Sequence, residues 1–579
     1  MQAPTSYRLI YQNPHRQFLH VEMTVNDVSG STLQLQLPAW RPGRYELANF
    51  AKNIQQFKAF GDKGQALVFR KVTKDLWEID CAGCSKVKVD YNYYAAVINA
   101  GSTYISEGQL YVNPVNCLFY VPERIDASVT VQLSVPEHWQ VACAMQRPKR
   151  FELVAADYHE LADSPFIASP SLQHNSFEAG NVLFHVWFQG QFKPDWERIL
   201  RDFQKFAANQ IEAMGDFPVK EYHFIFQIRT YPTYHGVEHQ NSTVITLGPS
   251  YDILKEVLYD EFLGISSHEL YHAWNVKALR PADMLPYDYT RENYTRLGYV
   301  AEGVTTYAGD LFLYRSGVFS DFDFFKNVHK LFQRHFHNYG RFNLSVADSS
   351  FDTWLDGYDK GIPDRKTSIY TEGAVLAMMM DISIRRDTAN RNGLMDVMRL
   401  LYQRHAKQGL GYTEADYQAA IEELAGRSYA SFFTDFYYGT KDVDPLLTEL
   451  LAYVGLSIRN IRSRLYFENR FGFNVKYIRE KSAEITDIAP DSIADKAGLK
   501  AGDEITAIND IRLLGNLKEW CKYFMEETVT LTVNSGGDTT KITLTPTDEF
   551  YYRTRWPEKD RTATDAQKAN YLAWTGREF

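Results

Sequence analysis

Apolar and polar positions change rhythm along the chain, and the changes divide it. Up to about residue 170 they alternate with period two, as in Phe18-Leu-His-Val-Glu-Met-Thr-Val, Leu33-Gln-Leu-Gln-Leu, Val87-Lys-Val-Asp-Tyr and Val129-Thr-Val-Gln-Leu-Ser-Val. That is the signature of half-buried strands. A Ser/Pro-rich passage, Asp163 to Ser171, reads as the exit from this β region. A strand at Val182–Phe188 follows. A helix then runs from about Asp195 to Met214, with Trp196, Ile199, Leu200, Phe203, Phe206 and Ile211 on its buried side. His223–Ile228 and Ser242–Leu247 read as strands around a turn at Tyr234–Asn241. From 290 to about 455 the period is helical. After about 460 short strands and glycine turns return.

Between the two textures lies Gly264-Ile-Ser-Ser-His-Glu-Leu-Tyr-His-Ala-Trp-Asn-Val-Lys-Ala-Leu279. Its flanking apolar residues, Ile253, Val257, Leu258, Phe262, Ile265, Leu270 and Trp274, recur at helical spacing, so the segment reads as one buried helix. His268 and His272 are four apart and share a face of it, within reach of one metal ion. Glu269 lies about 100° further round, placed to act on water without ligating. Two unpaired imidazoles and a carboxylate are costly in an apolar helix, and a zinc ion removes that cost.

Catalytic zinc takes three protein ligands and keeps a position open. No histidine follows His272 until His329, so the third ligand is sought among Asp283, Asp288, Glu292 and Glu302. Asp283 and Asp288 fall in a proline-punctuated loop. Glu302 lies mid-helix among apolar neighbours beside Gly303, where a carboxylate calls for a cation, and it is the choice. Zinc so held lowers the pKa of its water toward about 7 and polarises a carbonyl, with Glu269 as general base. Tyr370, opening an apolar helix, is the candidate donor to the oxyanion.

Composition narrows the reading. The chain has 579 residues, enough for about four domains. Its net charge of −10 comes with no basic block, which argues against nucleic acid or an anionic membrane as partner. No apolar run reaches transmembrane length; Ala374 to Ile384 comes nearest and contains Asp381. Met1 to Tyr7 carries no charged or apolar leader. This leaves a cytoplasmic protein, or a periplasmic or secreted one whose signal peptide has been removed. Five cysteines form no disulfide framework, and Cys81 and Cys84 are a lone C-x-x-C open to a zinc or redox role.

The stretch Ala483 to Asn509, with Ala497-Gly-Leu-Lys-Ala-Gly-Asp503, resembles a PDZ domain. That resemblance puts Phe471, Gly472 and Phe473 in the carboxylate-binding loop, where a C-terminal peptide would pair with the following strand. The Leu37–Tyr45 stretch, with two prolines and a glycine, reads as a fixed turn over Trp40 and Tyr45. Taken in order, Trp40-Arg-Pro-Gly-Arg-Tyr45, Gly236-Val-Glu-His, His268-Glu-Leu-Tyr-His-Ala-Trp-Asn275 and Ala301-Glu-Gly-Val-Thr resemble the PDZ-containing glycyl aminopeptidases over roughly residues 5 to 547. These are zinc peptidases distantly related to the alanyl and leucyl aminopeptidases.

The resemblance implies a multidomain α+β chain. Its parts are an N-terminal β-sandwich-like domain (1–170), a thermolysin-like catalytic and helical domain (171–455), a PDZ domain (460–547) and a tail (548–579). It implies one zinc ion on His268, His272 and Glu302, and removal of N-terminal Gly or Ala from peptides with a free N-terminus. Glu238 would hold the substrate's α-amino group. Tyr370 corresponds to the tyrosine of the related enzymes' Tyr-x-Lys-Gly motif, with Glu372 in place of the lysine. Gly298-Tyr-Val-Ala before Glu302 also departs from the more aromatic family pattern. Two other readings stand beside this one: a PDZ-regulated endopeptidase, which has no use for an amine anchor, and a PDZ scaffold with a vestigial metal site.

Overall fold

The computed structural model describes residues 4–358, 361–479 and 481–579. Met1 to Ala3, the start of the opening read as leader-free, lie outside the described residues. The alternating N-terminal sequence builds a seven-stranded sheet, in which Thr5–Ile10 pairs parallel with Val129–Ser134 and antiparallel with Phe18–Val25. A three-stranded and a four-stranded sheet accompany it around one apolar core. Within Asp163–Ser171, read as the exit from the β region, Phe166–Ser169 is a fully buried strand of the four-stranded sheet, paired with Gln109–Val112. Its Ser and Pro residues had masked a short apolar run.

The middle of the chain opens with a five-stranded sheet of β1 (Gln173–Ala179), β2 (Val182–Gln189), β3 (Glu221–Ile228), β4 (Thr233–Glu238) and β5 (Ser242–Gly248). Their order is β1-β2-β3-β5-β4, with β2, β3 and β5 parallel. Most of the stretch read as a turn at 234–241 is therefore edge strand; Gly236 and its polar neighbours concealed the pattern. Helix α1 (Trp196–Met214) is capped by Asp195, whose carboxylate accepts from the Arg198 N–H. Phe203 and Phe206 of α1 pack with Phe224 and Phe226 of β3 in the largest core.

The histidine helix, α2 (Glu256–Tyr271), ends earlier than its periodicity suggests, and Val257 on it is exposed. Residues 273–278 form a separate wide turn, with Asn275 out of helical geometry. Residues 299–304 form another such turn and run into α3 (Thr305–Arg315). Then come α4 (Asp321–Phe336), whose Ser320 and Asp323 make a capping box, and α5 (Thr371–Asp387). A Cβ on Gly303 would collide with the backbone of Gly373, so α5 crosses the Glu302 turn at contact distance. Gly309 likewise lets α3 lie against His268.

The last sheet, built from residues 473–544, encloses its own core and begins with an edge strand, β6 (Phe473–Ile478). The chain enters and leaves this domain through one antiparallel ribbon, Leu456–Ile461 with Thr554–Lys559. The tail, unassigned from sequence, ends in α6 (Asp565–Thr575), which packs back into the helical core. There the Trp574 indole donates to the Tyr307 hydroxyl at 2.7 Å.

Candidate active site

On α2 the i, i+4 spacing brings the Nε2 atoms of His268 and His272 to 3.0 Å from one another. Glu302 Oε2 arrives from the facing turn, 3.3 Å from His272 Nε2 and 3.8 Å from His268 Nε2. His272 is fixed by its Nδ1, which lies 2.7 Å from the Asn275 carbonyl. That break after α2 has a purpose: Asn275 also donates to the Val300 carbonyl at 2.8 Å, tying the histidine helix to the Glu302 turn. Of the four acidic candidates, Glu302 is the one in the cluster. Asp288 is occupied by Thr290 and Arg291.

Glu269 and Glu238 converge on the same place. Oxygen atoms of both lie with a nitrogen of His272 in a group spanning no more than 4.8 Å. Glu269 Oε2 and Glu238 Oε1 are buried and have no hydrogen-bond partner among the described residues. Three buried carboxylates thus meet two imidazoles, and the electrostatics register the excess. Burial, reinforced by Glu238 and Glu302 and opposed by His272, holds the Glu269 carboxyl well above the usual carboxylate range. Burial alone would lower His272, yet Glu302, Glu238 and Glu269 outweigh it and raise the imidazole to about 10. Burial and His272 push His268 down. A divalent cation would supply the missing positive charge, and two imidazoles with one carboxylate form a donor set suited to zinc. The residues present fit that ion.

The N-terminal domain completes the site in a way sequence reasoning missed. The turn at residues 40–45 reaches into the catalytic domain, with the Trp40 indole donating to the Asp288 carbonyl at 2.7 Å. Gly43 sits where a Cβ would strike the Glu238 carboxylate, and Gly236 does the same for Glu269. The Arg41 guanidinium is buried against Gly101 and interacts with Glu238. The Tyr45 hydroxyl lies 3.5 Å from Glu302 Oε1. In the sequence this turn is marked by its density of Pro, Gly and Arg and by its place among the motifs that carry the family resemblance, neither of which says what it touches.

Tyr370 lies at the start of α5 with its ring 6.4 Å from that of His268. Burial, then Glu302 and Tyr358, keep its phenol protonated. Glu372, in the lysine position, turns to His335 Nδ1 at 2.6 Å. At the last domain, Phe471 and Phe473 are buried, and the Gly472 N–H is already given to the Phe467 carbonyl at 2.9 Å. The catalytic cavity, about 490 Å³, is bounded by α2, α3, α4, Gly43 and Tyr370. Cys81 and Cys84 are buried free thiols. No helix among the described residues is long and apolar enough to cross a membrane.

The fold, this donor set and the comparisons together support a zinc-dependent aminopeptidase. Residues 6–170 match the Peptidase M61 N-terminal domain, residues 261–376 the M61 glycyl aminopeptidase and residues 484–535 a PDZ domain. Over those segments the chain is similar to the M61 peptidases and to PDZ domains. The crystal structure of an aminopeptidase N family protein from Idiomarina loihiensis has the same fold, with a TM-score of 0.91 at 24% identity. The match covers 99% of this chain and 100% of that one. A mutant M1 zinc metallopeptidase from Deinococcus radiodurans, bound to a Tyr-Ser-Ala substrate, aligns at 11% identity and a TM-score of 0.47, over 76% of this chain and 95% of that one. No curated protein matches the chain.

Proposed function

We propose that this enzyme hydrolyses the first peptide bond of peptides with a free N-terminus, preferring Gly or Ala there. His268, His272 and Glu302 hold one zinc ion. When bound, that ion supplies Lewis-acid polarisation of the scissile carbonyl and makes water reactive near neutral pH. Glu269 takes the attacking water's proton on its carboxylate and passes it to the departing amine. Glu238 receives the substrate's ammonium, which fixes the first residue in register with the carbonyl under attack. The Tyr370 hydroxyl donates to the developing oxyanion. The preference for small first residues rests on resemblance to the glycyl aminopeptidases. At the PDZ domain, β6 offers an edge to which a C-terminal peptide can add.

The observation that carries this reading is the pair of buried carboxylates, Glu238 and Glu269, which gather beside His272 and each keep one oxygen with no hydrogen-bond partner among the described residues. An endopeptidase needs only the second of them. Replacement of Glu238 by alanine should reduce kcat/KM for a free-amine peptide by a hundredfold or so, in line with loss of a buried ion pair, and so erode the preference over its N-acetylated analogue. Full retention of the wild-type kcat/KM on the free peptide would remove the anchor.

A further inference from the structure

The catalytic cavity has a second charged end. On α4, Lys326, Lys330 and Arg334 are successive members of an i, i+4 row. Lys326 is engaged, 2.6 Å from Asp260. Lys330 reaches Glu261 only at 3.7 Å, beyond a hydrogen bond. Arg334 forms no ion pair among the described residues, yet lines the same cavity as Glu238, Glu269 and His268. Asp310 faces both cations; burial lifts its carboxyl to about 6 against their pull. Arg334 and Tyr370 also bound an adjoining cavity of about 370 Å³, whose far wall holds Asn474 and Asp487 of the PDZ domain. Arg334 therefore stands at the threshold between the two spaces.

A substrate whose ammonium lies at Glu238 extends its chain away from that acidic end. The space available, about 490 Å³, is that of a small-molecule site. An arginine with no carboxylate at ion-pair distance among the described residues, and only Asp310 facing it, is well suited to take a carboxylate through two parallel N–H donors. We propose that Arg334, aided by Lys330, receives the C-terminal carboxylate of short peptides, so that the enzyme selects peptides with both termini free. This rests on the aminopeptidase reading given above.

The test uses the zinc-loaded full chain and one glycine-starting tripeptide in three forms: the free acid, the C-terminal amide and the N-acetylated acid. Wild-type enzyme should cleave the free acid with kcat/KM about tenfold or more above the amide, the size of one hydrogen bond to a charged group. Arg334→Ala should bring the acid down to the level of the amide while sparing the amide, and Arg334→Lys should keep part of the preference. Wild-type cleavage of acid and amide at equal rates would overturn the proposal without recourse to any variant. An equal loss on both in Arg334→Ala would also overturn it. Cleavage of the acetylated form as fast as the free one would instead bring down the aminopeptidase reading itself.

Discussion

Two groups of histidines in this protein place imidazole nitrogens 3.0 Å apart, and they are chemically unlike. His268 and His272 pair Nε2 with Nε2 inside a ring of buried carboxylates. His174 Nε2 and His185 Nδ1 meet at the same distance on the β1–β2–β3 face, beside His223 and Glu221. At the second group one nitrogen of each ring already has a partner: the Trp187 indole donates to His223 Nδ1 at 3.1 Å, His174 Nε2 meets His185 Nδ1, and the rings of His185 and His223 stack at 4.5 Å. Glu221 is exposed and can be solvated where it stands. At the first group, Glu238 and Glu269 keep buried oxygens with no partner. Close imidazoles alone do not make a metal centre. Buried carboxylate oxygens in excess of the cations around them, beside an imidazole whose orientation is already fixed, are what suits a site to a metal.

That contrast breaks first under substitution of the histidines. His272→Ala should abolish stoichiometric zinc, whereas His185→Ala should leave zinc content at the wild-type value; elemental analysis after dialysis reads both. Glu269→Ala should keep the zinc and lower turnover by about 10²–10⁴-fold, the usual range for a general base. Asn275→Ala should weaken zinc affinity by about 10–100-fold, because His272 would lose the carbonyl geometry that orients it; a competitive chelator titration measures this.

The smallest effect is expected at the second group. Burial, with His185, His174 and Arg147, depresses His223 to about 3. A folded-state pKa below the unfolded value means that the unfolded chain binds the proton more readily. His223 therefore costs stability as pH falls from about 6.5 toward 3. His223→Gln should flatten the pH dependence of the denaturation midpoint in that window and leave zinc content unchanged.

What could be read from the sequence follows the same division. The i, i+4 histidines, Glu269 between them, and Glu302 were legible because each lies in a local pattern whose cost only a cation relieves. The length of the histidine helix was not. Its apolar period runs on through Trp274, but the Asn275 carbonyl is needed by His272 and the helix yields. Tyr45 was read as packing under a turn, since no local signal tells that residue 45 will meet residue 302. The β4 strand was hidden because Gly236, which leaves the room that the Glu269 carboxylate occupies, interrupts its apolar pattern. The tail was opaque for the same reason: Trp574 and Tyr571 find their partners at Tyr307 and Tyr314, over 250 positions earlier. Local periodicity gives elements, and the contacts that assemble the site across domains are beyond its range.

The most direct test of the central claim is cleavage of one glycine-starting peptide, offered free and N-acetylated, by zinc-loaded enzyme with Glu269→Ala alongside. The account predicts release of N-terminal residues one at a time from the free peptide only, and loss of that release in the variant. Internal cleavage of both forms, or undiminished activity in Glu269→Ala, would contradict it.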